Sequence, residues 1–149
     1  MRVLIVEDSE DDAELLLVEL RRGRWEIVHE RVETPKTMSA ALDRHPWDLI
    51  IADYSLPYFS GPAALAMTRD RLTDVPFILV SGRIGEEPAV EAMRAGADDY
   101  LFKGDLKRLL PAVERELRDL EGRRRVTGMG WRFCTPASWP RPRVLALPA

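Results

Sequence analysis

The sequence is poor in the features that mark secreted, membrane-spanning and cysteine-rich proteins. It has one cysteine, Cys134, in 149 residues, which excludes an internal disulfide and a site with several cysteine ligands. No apolar run approaches the roughly 20 residues that a membrane-spanning helix needs. The apolar start of the chain ends at Glu7, too soon for a signal peptide. We therefore expect a protein of the reducing cytoplasm that does not enter a membrane.

Charge is distributed unevenly along the chain. Residues 122–149 contain six arginines and no acid, so of the net charge of −3 the first 121 residues carry about −9. A body this acidic is a poor ligand for nucleic acid, whose phosphates attract basic surfaces. The C-terminal segment also has four prolines and three glycines without helical or strand periodicity. We predict two parts: a folded domain over residues 1–121 and an Arg/Pro-rich tail over 122–149 that is disordered or poorly packed.

Short apolar strands alternate with amphipathic helices along residues 1–121. The apolar runs predict five strands, over residues 2–7, 25–32, 48–53, 75–80 and 98–102. Between and after them lie five helical patterns, the first capped by Ser9 and Asp12 and the last by Asp105, with Pro111 expected to tighten or kink its start. Because most of the strands are nearly continuous apolar runs separated by helices, we predict a (βα)5 α/β fold, a doubly wound parallel five-stranded sheet of flavodoxin-like type in a single domain.

Polar residues collect where the predicted strands end. Glu7 and Asp8 follow the first strand and Asp53 ends the third. The carboxyl ends of parallel strands share one edge of the sheet, so these three carboxylates should meet there. Their mutual repulsion would destabilise the fold unless a cation lay between them. Hard oxygen ligands at an open site suit Mg²⁺, which we take as the cofactor.

Two further strand ends supply the other groups that phosphoryl transfer requires. Such transfer needs an in-line nucleophile and positive charge around the phosphoryl oxygens. Asp53 is the candidate nucleophile, Lys103 would hold one phosphoryl oxygen, and the Ser81 hydroxyl would donate to another. Pro57 and Gly61 shape the turn after Asp53, so that its backbone can lend a carbonyl to the metal.

Five motifs in order resemble one family, and each stands at a strand end or in the last strand of the predicted pattern. They are Glu7-Asp8, the Asp53/Pro57/Gly61 spacing, Ser81-Gly82, Gly96-Ala97-Asp98-Asp99-Tyr100 and Lys103. Over residues 1–121 the chain resembles the receiver domain of bacterial two-component response regulators. The resemblance implies that Asp53 accepts a phosphoryl group from a phosphohistidine on a sensor histidine kinase or a phosphotransfer protein. It also implies a Mg²⁺ site formed by Glu7, Asp8, Asp53 and the backbone carbonyl of Ser55.

The same resemblance implies a switch and an output. Ser81 would move toward the phosphoryl group and Tyr100 would turn inward, altering the face made by the fourth helix, fifth strand and fifth helix. That face would bind a downstream partner or a fused domain, or form a homodimer. The domain would catalyse its own phosphorylation and the slow hydrolysis of its aspartyl phosphate without being a conventional enzyme. The chain is either a stand-alone receiver or the N-terminal piece of a hybrid sensory protein.

One departure from the family pattern concerns the residue after the lysine. Most receivers have a proline there, in a cis peptide, whereas this chain has Gly104. A cis bond without proline costs about 2.5–4 kcal/mol, so we expect a trans peptide and a shifted Lys103.

Plainer interpretations and other functions stand beside these. Asp53 could be an ordinary turn residue, Lys103 a solvated lysine and Tyr100 a packing residue. A receiver-shaped interaction domain that never takes up phosphate is the alternative function, favoured only by Gly104. A flavin or nucleotide binder on the same sheet is disfavoured because the loop after the first strand, EDSEDDAE, would repel a phosphate.

Overall fold

The computed structural model describes residues 1–71, 74–82 and 86–126. Five strands and five helices alternate along it. The strands are β1 (Arg2–Val6), β2 (Val28–Val32), β3 (Leu49–Asp53), β4 (Phe77–Ser81) and β5 (Asp99–Phe102). The helices are α1 (Glu10–Arg21), α2 (Pro35–Arg44), α3 (Gly61–Arg71), α4 (Glu86–Arg94) and α5 (Leu109–Val126). Among the described residues, no helix is both long enough and apolar enough to cross a bilayer.

The strands form one parallel sheet in the order β2-β1-β3-β4-β5. Every residue of β3 and β4 is buried, as expected for central strands covered on both faces. The predicted (βα)5 flavodoxin-like fold is therefore confirmed. The order reverses between β1 and β3, and the carboxyl edge beside such a reversal is where open α/β sheets bind their ligands.

The side chains of alternate strand residues pack into two separate hydrophobic cores, one on each face of the sheet. On one face Leu4, Ile50 and Phe77 pack with residues of α2 and α3, Met38 and Leu65 among them. On the other face the neighbouring strand residues pack with α1 and α5; they include Val3, Ile5, Ile51, Ile78, Leu16, Leu17 and Val113. The period-two pattern of each strand thus distributes its side chains between two helical layers.

The first two helices begin at the caps that the sequence indicates. The Ser9 hydroxyl accepts a hydrogen bond from the Asp12 backbone N–H at 3.2 Å. Thr34 and Thr37 form a reciprocal capping box at the start of α2. The second strand, however, is shorter than the predicted range of residues 25–32. β2 begins at Val28, and Trp25 is instead buried with α1 and α5.

The segment before α5 differs most from the prediction. Lys103–Arg108 form a 3₁₀ segment in which Asp105 has non-helical angles (φ −135°, ψ 61°). The α-helix therefore begins at Leu109, and the prediction that Asp105 caps it is wrong. Pro111 lies in the first turn of α5, where a missing N–H costs no helical hydrogen bond. This turn tolerates the proline without the kink that an interior proline would cause.

The last helix passes the predicted end of the domain. α5 continues to Val126, beyond the boundary expected at residue 121. Residues 127–149, with Cys134, lie outside the described residues. That the C-terminal tail is disordered or poorly packed therefore stays a prediction.

Candidate functional site

Acidic side chains meet at the carboxyl edge of the sheet, beside the reversal between β1 and β3. Glu7, Asp8 and Asp53 each offer a carboxylate oxygen, and these three oxygens lie within 4.8 Å of one another. Asp53 is the last residue of β3, while Glu7 and Asp8 directly follow β1. The structure thus brings together the three carboxylates that the sequence places at strand ends.

Glu7 is held rigidly and is almost inaccessible. Its side chain is 1% exposed, and its Oε1 accepts a hydrogen bond from the Ser9 backbone N–H at 3.1 Å. Burial raises the pKa of Glu7 to about 7, an effect that the nearby Asp53 carboxylate increases and a hydrogen bond from Lys103 partly opposes. A buried acid of this kind gains from any cation that comes close to it.

Asp53 is fixed by its strand and by the turn that follows. β3 pairs with β4 so that Asp53 lies opposite Val80. Its Oδ1 accepts a hydrogen bond from the Ser55 backbone N–H at 3.2 Å. The side chain has about one tenth of its surface exposed.

The space around Gly61 explains why the turn after Asp53 ends in a glycine. A Cβ added at Gly61 would lie 2.3 Å from a Leu79 methyl group and 2.9 Å from the Asp53 carbonyl oxygen. The Gly61 N–H also donates to the Tyr54 carbonyl at 2.9 Å. Only a residue without a side chain lets α3 begin this close to the end of β3.

Lys103, which directly follows β5, contacts the acids through its ammonium. Its Nζ lies 2.7 Å from Glu7 Oε2 and 2.9 Å from Asp53 Oδ2. Burial disfavours the charged ammonium, but hydrogen bonds to three carboxylates outweigh this and raise the pKa of Lys103 above its ordinary value of 10.5. Lys103 is therefore fully protonated and forms the positive side of the site.

Gly104 follows the lysine in a trans peptide. The described residues contain no cis peptide bond, which agrees with the expected trans bond at Gly104. The Lys103 ammonium contacts Asp53 directly, and a displacement of Lys103 relative to receivers with proline stays a prediction. A Cβ on Gly104 would lie 2.2 Å from the Phe102 ring, so the ring occupies the space that a larger residue at 104 would need.

Asp12 is the site residue that sequence reasoning missed. The pattern Ser9-x-x-Asp12 predicts a capping box, and half of that box is present, because the Ser9 hydroxyl accepts from the Asp12 N–H. The Asp12 carboxylate instead accepts a hydrogen bond from Lys103 Nζ at 2.8 Å. A carboxylate in the first turn of a helix is expected because of the helix dipole alone. The residue type and sequence position of Asp12 therefore do not reveal this second role.

The other predicted site residues lie nearby. Ser81 is buried at the end of β4, opposite Phe102 of β5. Tyr100 is half-buried on β5, and its ring meets that of Tyr54 edge to face with centroids 6.0 Å apart. Ser55 forms an isolated bridge with Ser60, and participation of its carbonyl in metal binding stays a prediction.

The donor set fits Mg²⁺. Three carboxylates from two segments supply hard oxygen atoms at one edge, and Asp8 is exposed there, which leaves room for the waters that Mg²⁺ usually keeps. Glu7, Asp8 and Asp53 would hold the ion, and Lys103 contacts two of these three carboxylates.

Comparison with known proteins identifies the same kind of domain. A family model described as the response regulator receiver domain matches residues 3–114. Phosphate regulon transcriptional regulatory protein PhoB from Pseudomonas aeruginosa is 35% identical over 103 residues, which are 68% of this chain and 44% of PhoB. The chain spans less than half the length of the first curated relatives that it matches.

Solved structures agree in fold. The signal receiver domain of a signal transduction histidine kinase from Syntrophus aciditrophicus is 29% identical, with a TM-score of 0.68 over 79% of this chain and 90% of that one. NtrX from Brucella abortus is 26% identical, with a TM-score of 0.76 over 88% of this chain and 30% of NtrX. Similarity to NtrX therefore concerns one part of a longer protein.

Proposed function

The chain belongs to the response regulator receiver domain family of two-component systems, and on this basis we propose that it is a phospho-accepting signalling receiver whose acceptor is Asp53. The donor is a phosphohistidine on a sensor histidine kinase or a phosphotransfer protein. The observation that carries the proposal is the position of Asp53, which lies between two other carboxylates and the ammonium of Lys103.

The transfer is a substitution at phosphorus. A carboxylate oxygen of Asp53 forms a bond to phosphorus while the bond from phosphorus to the histidine nitrogen breaks, and its electron pair stays on nitrogen. β3 and the Ser55 N–H hold the attacking carboxylate in place. Negative charge on the moving phosphoryl group requires nearby positive charge, and Lys103 provides it once its hydrogen bond passes from Asp53 to a phosphoryl oxygen.

Mg²⁺ bound by Glu7, Asp8 and Asp53 would offset the repulsion between the Asp53 carboxylate and the incoming phosphoryl group. The carbonyl of Ser55 completes the proposed ligand set. Ser81, buried at the end of β4, donates its hydroxyl to a further phosphoryl oxygen. The same groups support slow hydrolysis of the aspartyl phosphate, which resets the domain.

The output passes through the face formed by α4, β5 and α5. Ser81 and Tyr100 are the proposed switch residues, and the Tyr54–Tyr100 contact links β5 to the residue directly after Asp53. On α4, Val90 and Met93 are 48% and 47% exposed. This partly apolar face is the proposed docking site for a downstream partner, a fused domain or a second copy of the chain.

The context we propose is cytoplasmic. The chain is similar to part of PhoB, named as a transcriptional regulatory protein, and to the receiver domain of a histidine kinase, so we propose that the domain acts either alone or within a longer regulator or hybrid sensory protein. With a charge of about −9 over residues 1–121, the domain itself is not expected to contact nucleic acid.

The test is phosphorylation by acetyl phosphate with Mg²⁺, followed by intact-protein mass spectrometry. We expect wild type to gain the mass of one phosphoryl group, Asp53→Asn to gain none, and Asp70→Asn, which changes an exposed aspartate of α3, to behave as wild type. Labelling of the Asp53→Asn variant would exclude Asp53 as the acceptor. An unlabelled wild type would favour the interaction domain that never takes up phosphate.

A further inference from the structure

Lys103 makes one more hydrogen bond than the proposed transfer needs. An ammonium has three N–H donors, and Nζ directs them at Glu7, Asp12 and Asp53 at 2.7, 2.8 and 2.9 Å. Glu7 and Asp53 belong to the carboxylate group that fits a metal, whereas Asp12 does not. Asp12 is therefore the one partner of Lys103 whose carboxylate has no other role in the site.

The three bonds differ in what happens to them during transfer. The bond to Asp53 has to pass to the phosphoryl group, and the Glu7 carboxylate is shared with the metal. The bond to Asp12 is free to persist throughout. A lysine side chain loses rotamer entropy when it is fixed, so a bond that persists would keep Nζ in place before and during the transfer.

Asp12 is itself well positioned to act as an anchor. It lies in the first turn of α1, and its backbone N–H is bound by the Ser9 hydroxyl. The α1 helix packs through Ala13, Leu16 and Leu17 into the core that also contains residues of β1 and α5. Its carboxylate is thus attached to a rigid element, unlike the backbone beside Lys103, where Gly104 places no side chain of its own.

We propose that Asp12 is a positioning residue that holds the Lys103 ammonium in its working place before and during phosphoryl transfer. This inference rests on the proposed function. Asp12 neither binds the metal nor touches the phosphoryl group. In this chain, a carboxylate from the first helix fixes the lysine that follows the last strand.

A purely structural ion pair would behave differently. The Asp12 side chain is 39% exposed, and exposed ion pairs contribute little to stability. Loss of Asp12 should therefore leave the midpoint of urea unfolding nearly unchanged, while it leaves Lys103 with two hydrogen-bond partners instead of three and so makes its ammonium more mobile. The informative readouts are the mobility of Lys103 and the split between maximal rate and half-saturating donor concentration.

The experiment compares wild type with Asp12→Ala, Asp12→Asn and Asp11→Asn. Asparagine at 12 keeps an oxygen that accepts a hydrogen bond from Lys103 but loses the charge, so it separates the hydrogen bond from electrostatics. Asp11→Asn removes the same charge from the neighbouring exposed residue. It controls for the easier approach of an anionic donor to a less acidic site.

Two measurements are made on these proteins. In metal-free protein, the Lys103 NζH₃⁺ group is followed by ¹H–¹⁵N NMR, where a held ammonium exchanges its protons slowly. With Mg²⁺ and acetyl phosphate, we expect Asp12→Ala to lower the maximal phosphorylation rate about tenfold, with little change in the half-saturating donor concentration. Asp12→Asn should recover most of the rate, Asp11→Asn should match wild type, and the Lys103 signal should broaden only in Asp12→Ala.

The contrary outcomes separate the two proposals. A wild type that is never labelled would overturn the proposed function and with it a role for Asp12 in transfer. A labelled wild type with an equally fast Asp12→Ala variant, or an Asp12→Asn variant as slow as Asp12→Ala, would overturn the role of Asp12 alone. An unchanged Lys103 signal in Asp12→Ala would do the same without reference to activity.

Discussion

Lys103 has a part in the stability of the metal-free domain as well as in its chemistry. Its ammonium lies 2.7 Å from Oε2 of the buried Glu7, and a buried carboxylate without a partner is strongly unfavourable. The lysine is thus a counter-ion to Glu7 and Asp53.

Removing this counter-ion should make stability depend on Mg²⁺. We expect Lys103→Ala to lower the free energy of unfolding by about 2 kcal/mol without metal, because Glu7 and Asp53 are left facing each other. Saturating Mg²⁺ should restore most of that loss, since the ion supplies the missing positive charge. Urea unfolding with and without Mg²⁺ measures both values.

Lys36→Ala, which changes an exposed lysine of α2, is the matched control. It should shift stability by less than about 0.5 kcal/mol under either condition. If Lys103→Ala were equally destabilised with and without Mg²⁺, the lysine would not be acting as a counter-ion of the metal-binding acids.

Prediction from sequence worked best for site residues whose position follows from the strand pattern. Glu7, Asp8 and Asp53 stand at the ends of apolar runs, and parallel strands bring such ends to one edge. Asp12 could not be found in this way. It lies on a helix, and its partner is 91 residues away in the sequence.

At the level of the elements, α5 contains a buried acid that the proposed chemistry does not use. Glu116 is 8% exposed and accepts a hydrogen bond from Arg115 Nε at 3.3 Å. Burial raises the pKa of Glu116 above its ordinary value of 4.5, and the carboxylates of Asp98 and Asp119 act in the same direction, against Arg115. The folded protein thus resists ionisation of this residue.

This resistance gives α5 a pH-dependent contribution to stability. A carboxyl whose pKa is higher in the folded than in the unfolded state stabilises the fold below its ordinary pKa of 4.5, and the contribution is lost as pH rises through the folded-state value. We expect Glu116→Gln to match wild type at about pH 4 and to be more stable than wild type at about pH 7.5. Urea unfolding at both pH values tests this.

Glu121→Gln, an exposed acid on the same helix, is the control and should show no such growth with pH. A Glu116→Gln variant that loses stability as pH rises would mean that the pair with Arg115 outweighs the burial of the acid.

Elements with strong local signals were predicted more closely than those decided by tertiary contacts. β3 and β4 are apolar up to their last residues, Asp53 and Ser81, and lie close to their predicted positions. The predicted start of α5 was wrong because Asp105 has the sequence features of a helix cap. The chain after β5 instead forms a 3₁₀ segment first, and this segment places Lys103 against the acids. Propensity alone does not contain that constraint.

For the whole molecule, the proposed switch requires a signal to pass from Asp53 to the face formed by α4, β5 and α5. The Tyr54–Tyr100 ring contact spans this distance. Phosphorylation, or a beryllium fluoride mimic of it, should shift the amide NMR signals of β5 and α5 more than those of β2 and α2. Tyr100→Leu should keep phosphorylation near the wild-type rate but reduce those shifts, because the ring contact is lost.

The same samples report on assembly. Sedimentation velocity before and after phosphorylation shows whether the α4, β5 and α5 face joins two copies.

Amide NMR shifts spread evenly over β2 and β5, or confined to the loop after Asp53, would contradict a switch that works through Tyr100.

The architecture was predictable at this scale because five apolar runs separated by helical patterns leave few parallel topologies. The end of the last helix was harder to predict from the sequence. Composition changes at residue 122, yet α5 continues to Val126, since a helix ends where its backbone loses partners and not where its charge changes sign.

The distance in sequence between the members of the site has a consequence for protein synthesis. Lys103 lies 96 residues after Glu7 and 50 after Asp53. A nascent chain that has left the ribosome only as far as β4 already contains its acids, but neither the lysine nor the strand that carries it. If Asp53 is the acceptor as proposed, we expect such an incomplete product, or a proteolytic fragment of the same length, to take up phosphoryl groups poorly, because it lacks the ammonium that contacts Glu7 and Asp53.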